Sequence, residues 1–117
     1  MKILYLDDDA INRLIVSEKV AGKYEIDAVE TTTQFFDLLD QNTYNIFLID
    51  INLNNSDIDG FGVLEKIKER NLPKETFYIA HTNYFGENWK KRCLDNGFDF
   101  YLPKPFVMSV FDEYIHK

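Results

Sequence analysis

Hydrophobic and polar positions follow two rhythms along the chain. Short apolar runs stand at Ile3–Leu6, at Tyr44–Ile49 with Asn45 as its one polar residue, and at Phe77–Ala80, the pattern of strands buried on both faces of a parallel sheet, and Phe98 to Leu102 reads as a further strand. Tyr24 to Val29 alternates more, as a strand near a sheet edge does. Between these runs apolar residues recur at helical spacing. Ala10, Ile11, Leu14, Ile15 and Ala21 outline a helix over 10–22, with Asp9 placed to cap its start and Gly22 its end. Thr31 or Thr32 can cap a second helix carrying Phe35, Phe36, Leu38 and Leu39. Val63, Leu64 and Ile67 give 61–71 an apolar face, and Pro73 ends it. A fourth helix runs from about Phe85 to Asn96, stopped by Gly97, and a short last one from about Val107 to His116.

This alternation predicts one α/β domain over 1–117: a doubly wound, five-stranded parallel sheet with helices on both faces. Right-handed crossovers leave few topologies, and the commonest has strand order 2-1-3-4-5. Strands 1 and 3 are then neighbours, and the order reverses between them. Ligands of such sheets bind at the carboxyl edge beside that reversal.

The polar residues arriving at this edge are Asp7, Asp8 and Asp9 after strand 1, Asp50 after strand 3, Thr82 after strand 4 and Lys104 after strand 5. Adjacent strands lie about 4.8 Å apart, and two unit charges about 5 Å apart repel by roughly 3 kcal/mol at an effective dielectric near 20. Asp7, Asp8 and Asp50 must therefore share protons or hold a cation. A hard divalent ion such as Mg²⁺ suits oxygen ligands of this kind. With a hydroxyl from Thr82 and an ammonium from Lys104, the set can form an aspartyl phosphate at Asp50 and stabilise its oxygens. Taken singly, each residue reads as an ordinary cap or solvated rim group. Four strand ends contributing complementary groups to one edge do not.

Composition narrows the partners. A formal net charge of −7 disfavours nucleic-acid backbones and anionic membranes. No apolar run approaches the roughly 20 residues that span a bilayer, and the opening residues enter a strand rather than a signal peptide. With Cys93 as the single cysteine no internal disulfide is possible, and a cytoplasmic location is expected.

Ile3-Leu4-Tyr5-Leu6-Asp7-Asp8-Asp9, Phe47-Leu48-Ile49-Asp50, Asp59-Gly60, Ala80-His81-Thr82 and above all Gly97-Phe98-Asp99-Phe100-Tyr101-Leu102-Pro103-Lys104-Pro105-Phe106 resemble the receiver domain of two-component response regulators, over essentially the whole chain. The strand order above is itself known from that family, so it is not independent of the resemblance. The resemblance implies that Asp50 accepts a phosphoryl group from a phosphohistidine on a sensor histidine kinase or a histidine phosphotransfer protein. It implies Mg²⁺ held by Asp8, Asp50 and the backbone carbonyl of Asn52, with Asp7 acting through a bound water. Lys104 would pair with the carboxylate or phosphoryl group, Thr82 would move to the phosphoryl oxygen, and Tyr101 would swing inward behind it. The face of the fourth helix, fifth strand and fifth helix would change. A cis Lys104-Pro105 peptide would aim the lysine. Chemistry at Asp50 would be limited to self-phosphorylation and self-dephosphorylation.

Two other functions fit parts of the pattern. One is a receiver-like interaction module that takes no phosphate. The other is a small phosphohydrolase, with Asp7 as nucleophile and Asp9 two residues on. The loop from Asp50 to Gly60 is longer than the family's, has Leu53-Asn54 in place of Met-Pro, and lengthens the spacings to Thr82 and Lys104 equally. Asn83 stands where a small residue is usual and narrows access to Asp50. Asn52 and Tyr84 lie where relatives tune the lifetime of the phosphorylated state. Asn55-Ser56-Asp57-Ile58-Asp59-Gly60 imitates the start of an EF-hand loop, yet Lys66 occupies the position of its bidentate acid. His81 reads as a packed residue, Cys93 and Leu94 as the underside of a helix. Tyr84, Phe85 and Trp89 either cover a core edge or form an adhesive face.

Overall fold

The computed structural model describes residues 1–54 and 56–116. Strands and helices alternate: β1 (Lys2–Leu6), α1 (Ala10–Val20), β2 (Glu25–Val29), α2 (Thr32–Gln41), β3 (Ile46–Ile49), α3 (Gly60–Lys68), β4 (Phe77–Thr82), α4 (Glu87–Asp95), β5 (Phe100–Pro103) and α5 (Met108–Ile115). All strand pairs are parallel and the order is β2-β1-β3-β4-β5, as the alternation predicts.

Strand periodicity sorts the core into two layers. Leu4, Leu6, Phe47, Ile49, Ala80 and Tyr101 face α2, α3 and α4, where Phe35, Leu39, Val63, Leu64, Ile67 and Cys93 meet them. Ile3, Tyr5, Ile46, Leu48, Ile79 and Leu102 face α1 and α5, against Val16, Val20, Phe111 and Ile115. The strands of the centre are buried on both sides, which is why they read as continuous apolar runs.

Helix starts follow their caps. Asp9 accepts from the Ile11 amide at 2.9 Å, and Thr31, not Thr32, caps α2 through a reciprocal box with Gln34. The face of α1 differs from its expectation. Ile11 and Leu14 are 68% and 59% exposed and Ile15 is partly so, while Val16 and Val20 face the sheet. The apolar spacing is genuine, but the row that the sheet covers is the neighbouring one. The helix also stops at Val20, ahead of Gly22. On α4 Cys93 is buried, while Leu94, turned about 100° further round the helix, is exposed.

Gly60 fixes the long loop against β3. A Cβ on Gly60 would lie 2.6 Å from the Asp50 carbonyl oxygen and 2.6 Å from the Ile51 Cα. The Gly60 amide donates to the Ile51 carbonyl at 2.9 Å. Only a residue without a side chain lets α3 begin this close to the strand end.

Candidate functional site

Register brings the acids together. Leu6 pairs with Ile49, so Asp7 and Asp50 leave adjacent strands side by side. The Asp50 amide donates to the Leu6 carbonyl at 3.0 Å and the Asp7 amide to the Val29 carbonyl at 3.1 Å, extending the ladder past both strand ends. Asp7 and Asp50 are buried and Asp8 is half-buried. One oxygen from each of Asp7, Asp8 and Asp50 lies within 4.8 Å of the others.

Lys104 enters from β5 and divides its ammonium between two of these carboxylates. Its Nζ is 2.8 Å from Asp7 Oδ2 and 2.9 Å from Asp50 Oδ2. The lysine backbone is tied down, its amide donating to the Thr82 carbonyl at 2.9 Å. The Lys104-Pro105 peptide is cis, as the resemblance implied, and Lys19 of α1 donates to the next carbonyl, that of Phe106, at 2.9 Å.

The remaining oxygens are held by backbone. Asp50 Oδ1 accepts from the Asn52 amide at 3.2 Å, Asp8 Oδ2 from the Asn54 amide at 2.8 Å, and Asp7 Oδ1 from the Asp9 amide at 2.9 Å. Arg13 of α1 donates to the Asp7 carbonyl at 2.8 Å. Asp8, Asp50, Asn52, Asn83 and Lys104 are among the walls of a crevice of about 90 Å³.

Electrostatics follow from burial. Desolvation pushes the Asp50 carboxyl up from 3.8 to about 6, against the hydrogen bond and charge of Lys104, which lower it; the Asp7 charge adds to the rise. Burial works against the Lys104 ammonium, but its hydrogen bonds to Asp7 and Asp50 outweigh that and hold its pKa above the ordinary lysine range. One positive charge faces three carboxylates. Oxygen donors at this spacing, short of compensating charge, fit a hard divalent cation, and Mg²⁺ accepts such a set with waters completing its shell.

The sequence-predicted residues divide by position. Asp7, Asp8, Asp50, Asn52 and Lys104 converge at the crevice. Thr82 is fully buried behind Asn83, its Oγ1 accepting from the Tyr84 amide at 3.2 Å. Tyr101 is already turned inward and 7% exposed, its hydroxyl donating to the Tyr84 carbonyl at 2.5 Å. His81 is packed as expected, between Tyr5 and Phe106, with Nδ1 2.8 Å from the Leu102 carbonyl; burial pushes its pKa down to about 4. Of the EF-hand-like run, Asn55 lies outside the described residues, and Asp59 caps α3 by accepting from the Gly62 amide at 3.0 Å.

The Asp7 and Asp9 pair of a phosphohydrolase is otherwise engaged. Asp9 caps α1 with one oxygen and accepts from Asn12 with the other. Asp7 is sealed beneath Lys104. Tyr5, whose hydroxyl donates to Asp7 Oδ2 at 2.6 Å, was not legible as part of the site. Its one signal is a phenol two residues before an aspartate, on the same strand face.

An aspartate poised this way, sharing one lysine with a second buried acid beside a small crevice, is placed to accept a phosphoryl group. The chain belongs to the response regulator receiver domain family, whose model matches residues 3–116. It is 29% identical over 111 residues to the sensor histidine kinase RcsC of Salmonella typhimurium, covering 94% of this chain and 11% of that protein. It is 32% identical over 124 residues to the hybrid signal transduction histidine kinase L of Dictyostelium discoideum, covering 99% and 7%. The chain thus spans about a tenth or less of the length of these relatives. Among solved structures it is similar to the BeF₃-activated receiver domain of DrrB from Thermotoga maritima (TM-score 0.82, 24% identity, 99% and 97% of the two chains). It is likewise similar to TrrA from the same organism, in complex with Mg²⁺-BeF (TM-score 0.80, 23% identity, 98% and 96%).

Proposed function

We propose that Asp50 takes a phosphoryl group from a phosphohistidine on a sensor histidine kinase or histidine phosphotransfer protein, with Mg²⁺ held by Asp8, Asp50 and the Asn52 carbonyl. The observation that carries this reading is the pair of contacts from one Lys104 ammonium to Asp7 and Asp50 beside the uncompensated Asp8. A carboxylate oxygen of Asp50 attacks phosphorus. The new P–O bond forms as the P–N bond breaks, and the imidazole leaves with the bonding pair and takes up a proton. When bound, the ion supplies positive charge against the oxygens of the transferring group. Lys104 follows the phosphoryl group from Asp50, Asp7, which faces three protein donors against two on Asp50, acts through water, and Thr82 moves to hydrogen-bond the phosphoryl oxygen. Tyr101 stays inward behind Thr82 and stabilises the shifted α4, β5 and α5 face.

The donor's docking face is read from α1. Ile11, Leu14 and Ile15 expose an apolar row next to Asn12, which lines the crevice, and an amphipathic helix bearing the phosphohistidine can cover it. A cytoplasmic location suits the reading, with Cys93 reduced. No helix among the described residues is long and apolar enough to cross a membrane.

Incubation with acetyl phosphate and Mg²⁺ tests the reading directly: mass spectrometry should find one phosphoryl group on the wild type and none on Asp50→Asn. A labelled Asp50→Asn protein, or an unlabelled wild type, would overturn it in favour of a module that takes no phosphate. Leu14→Asp should slow transfer from the protein donor about tenfold while uptake from acetyl phosphate stays as in the wild type.

The raised pKa gives a pH prediction. In the folded protein Asp50 is neutral below about 6 and charged above it, so Mg²⁺ affinity, measured by calorimetry, should fall as pH drops through that value. Stability without the ion runs oppositely. Because the folded pKa exceeds the unfolded one of 3.8, the contribution of Asp50 is fully present below the unfolded value and is lost as pH rises through about 6. Denaturant titrations of Asp50→Asn should lack this part of the pH dependence.

A further inference from the structure

The layer under the acidic cluster contains a phenol at a position where the strand needs only an apolar side chain. Tyr5 is fully buried on the α1 and α5 face of β1. Its hydroxyl reaches past the strand end to donate to Asp7 Oδ2 at 2.6 Å, the same oxygen that Lys104 contacts at 2.8 Å. The ring is held in place, tilted against His81 with centroids 6.1 Å apart, and His81 is in turn braced by Phe106 at 5.7 Å. The tyrosine thus has one hydrogen-bonding direction and points it into the site.

A count of donors shows what this contact does. Asp7 receives three: the Tyr5 hydroxyl and the Lys104 ammonium on Oδ2, and the Asp9 amide on Oδ1. Asp50 receives two, the same ammonium and the Asn52 amide. One lysine is therefore contested between two carboxylates, and Tyr5 supports one side of the contest. Two donors on one carboxylate oxygen compete for the same lone pairs, so Oδ2 holds the Lys104 ammonium less tightly than it would alone.

We propose that Tyr5 is a positioning residue for phosphoryl uptake: by sharing Asp7 Oδ2 with Lys104 it loosens the ammonium toward Asp50 and leaves that oxygen less available to Mg²⁺. The proposal rests on the reading of Asp8 and Asp50 as the magnesium site. It fixes opposite signs for two quantities. Without the hydroxyl, Asp7 Oδ2 has one donor fewer facing it, so a cation in the crevice meets a less shielded oxygen and binds more tightly. Asp7 also grips Lys104 harder, so the lysine follows the phosphoryl group less readily. Damage to the fold would weaken both.

The test is Tyr5→Phe, which removes one oxygen and keeps the ring. Calorimetric titration with MgCl₂ should show affinity about threefold to tenfold tighter than wild type, the scale of one ordinary hydrogen bond, since Asp7 keeps its other two donors. Uptake from acetyl phosphate at saturating Mg²⁺, followed by mass spectrometry, should be slower by about the same factor. Tyr5→Leu supplies both readouts if the phenylalanine variant does not fold, and must move them in the same directions. Unchanged or weakened Mg²⁺ binding in a folded variant, or faster phosphoryl uptake, overturns the role of Tyr5. A wild type that binds no Mg²⁺ overturns instead the assignment of Asp8 and Asp50, and so separates the two failures.

Discussion

Replacing Lys104 by methionine is expected to slow phosphorylation of Asp50 by about a hundredfold to a thousandfold at saturating Mg²⁺. That is the usual cost of removing one preorganised charge or donor from a developing anion. The ammonium sits 2.9 Å from the acceptor carboxylate and its backbone is anchored to Thr82, so no other side chain can take over the position. Stability should change too. Asp7 and Asp50 would be left buried without their cation, and breaking such a pair from one side costs about 3–5 kcal/mol. The loss should be largest at and above neutral pH and should shrink as pH falls toward about 6, because Asp50, no longer lowered by Lys104, takes up its proton above that value. Added Mg²⁺ should recover part of it by binding the folded state. Rates by mass spectrometry and denaturant melts with and without the ion check both parts. A Lys104→Met protein phosphorylated at the wild-type rate would remove the lysine from the mechanism.

The second large effect is expected at Gly60. The Cβ of Gly60→Ala would meet two backbone atoms, the Asp50 oxygen and the Ile51 Cα, each at 2.6 Å. Neither can turn aside as a side-chain tip does, so α3 or the end of β3 must shift. Overpacking of this kind costs about 3 kcal/mol, and the shift falls on the residue that carries the reactive carboxylate. Gly60→Ala should therefore lose stability and phosphorylation rate together. Gly62→Ala serves as the comparison, its Cβ meeting side chains and no backbone, the nearest being Ile58 Cβ at 3.0 Å. Equal melting points for the two variants would show that the close approach at Gly60 carries no constraint.

The site was readable where chemistry falls at a strand end. Asp50 and Thr82 each close a continuous apolar run, and Pro103-Lys104-Pro105 stops the last strand, so their common edge follows from topology alone. The inward-facing partners were not readable that way. Tyr5 sits within Ile3-Leu4-Tyr5-Leu6 and reads as core, because nothing in a period-2 pattern says that a buried ring also carries a bond at its far end. The face of α1 was misjudged for a related reason. Spacing identifies an apolar row, but Ile11, Leu14 and Ile15 lie on a row that the sheet leaves uncovered, while Val16 and Val20 on the next row are buried. Cys93 and Leu94 show the same limit at single-residue scale. Tyr101 was expected to move inward on phosphorylation, and it lies there already because the Tyr84 carbonyl gives its hydroxyl a partner.

Trp89, the single tryptophan, lies stacked on Tyr84 with centroids 4.4 Å apart and planes 19° from parallel. Tyr84 in turn accepts the Tyr101 hydroxyl on its carbonyl and places its amide on Thr82. The indole is therefore one residue removed from both Thr82 and Tyr101, with no second tryptophan in the chain. Its emission should therefore report a rearrangement at Thr82 in real time and without a label.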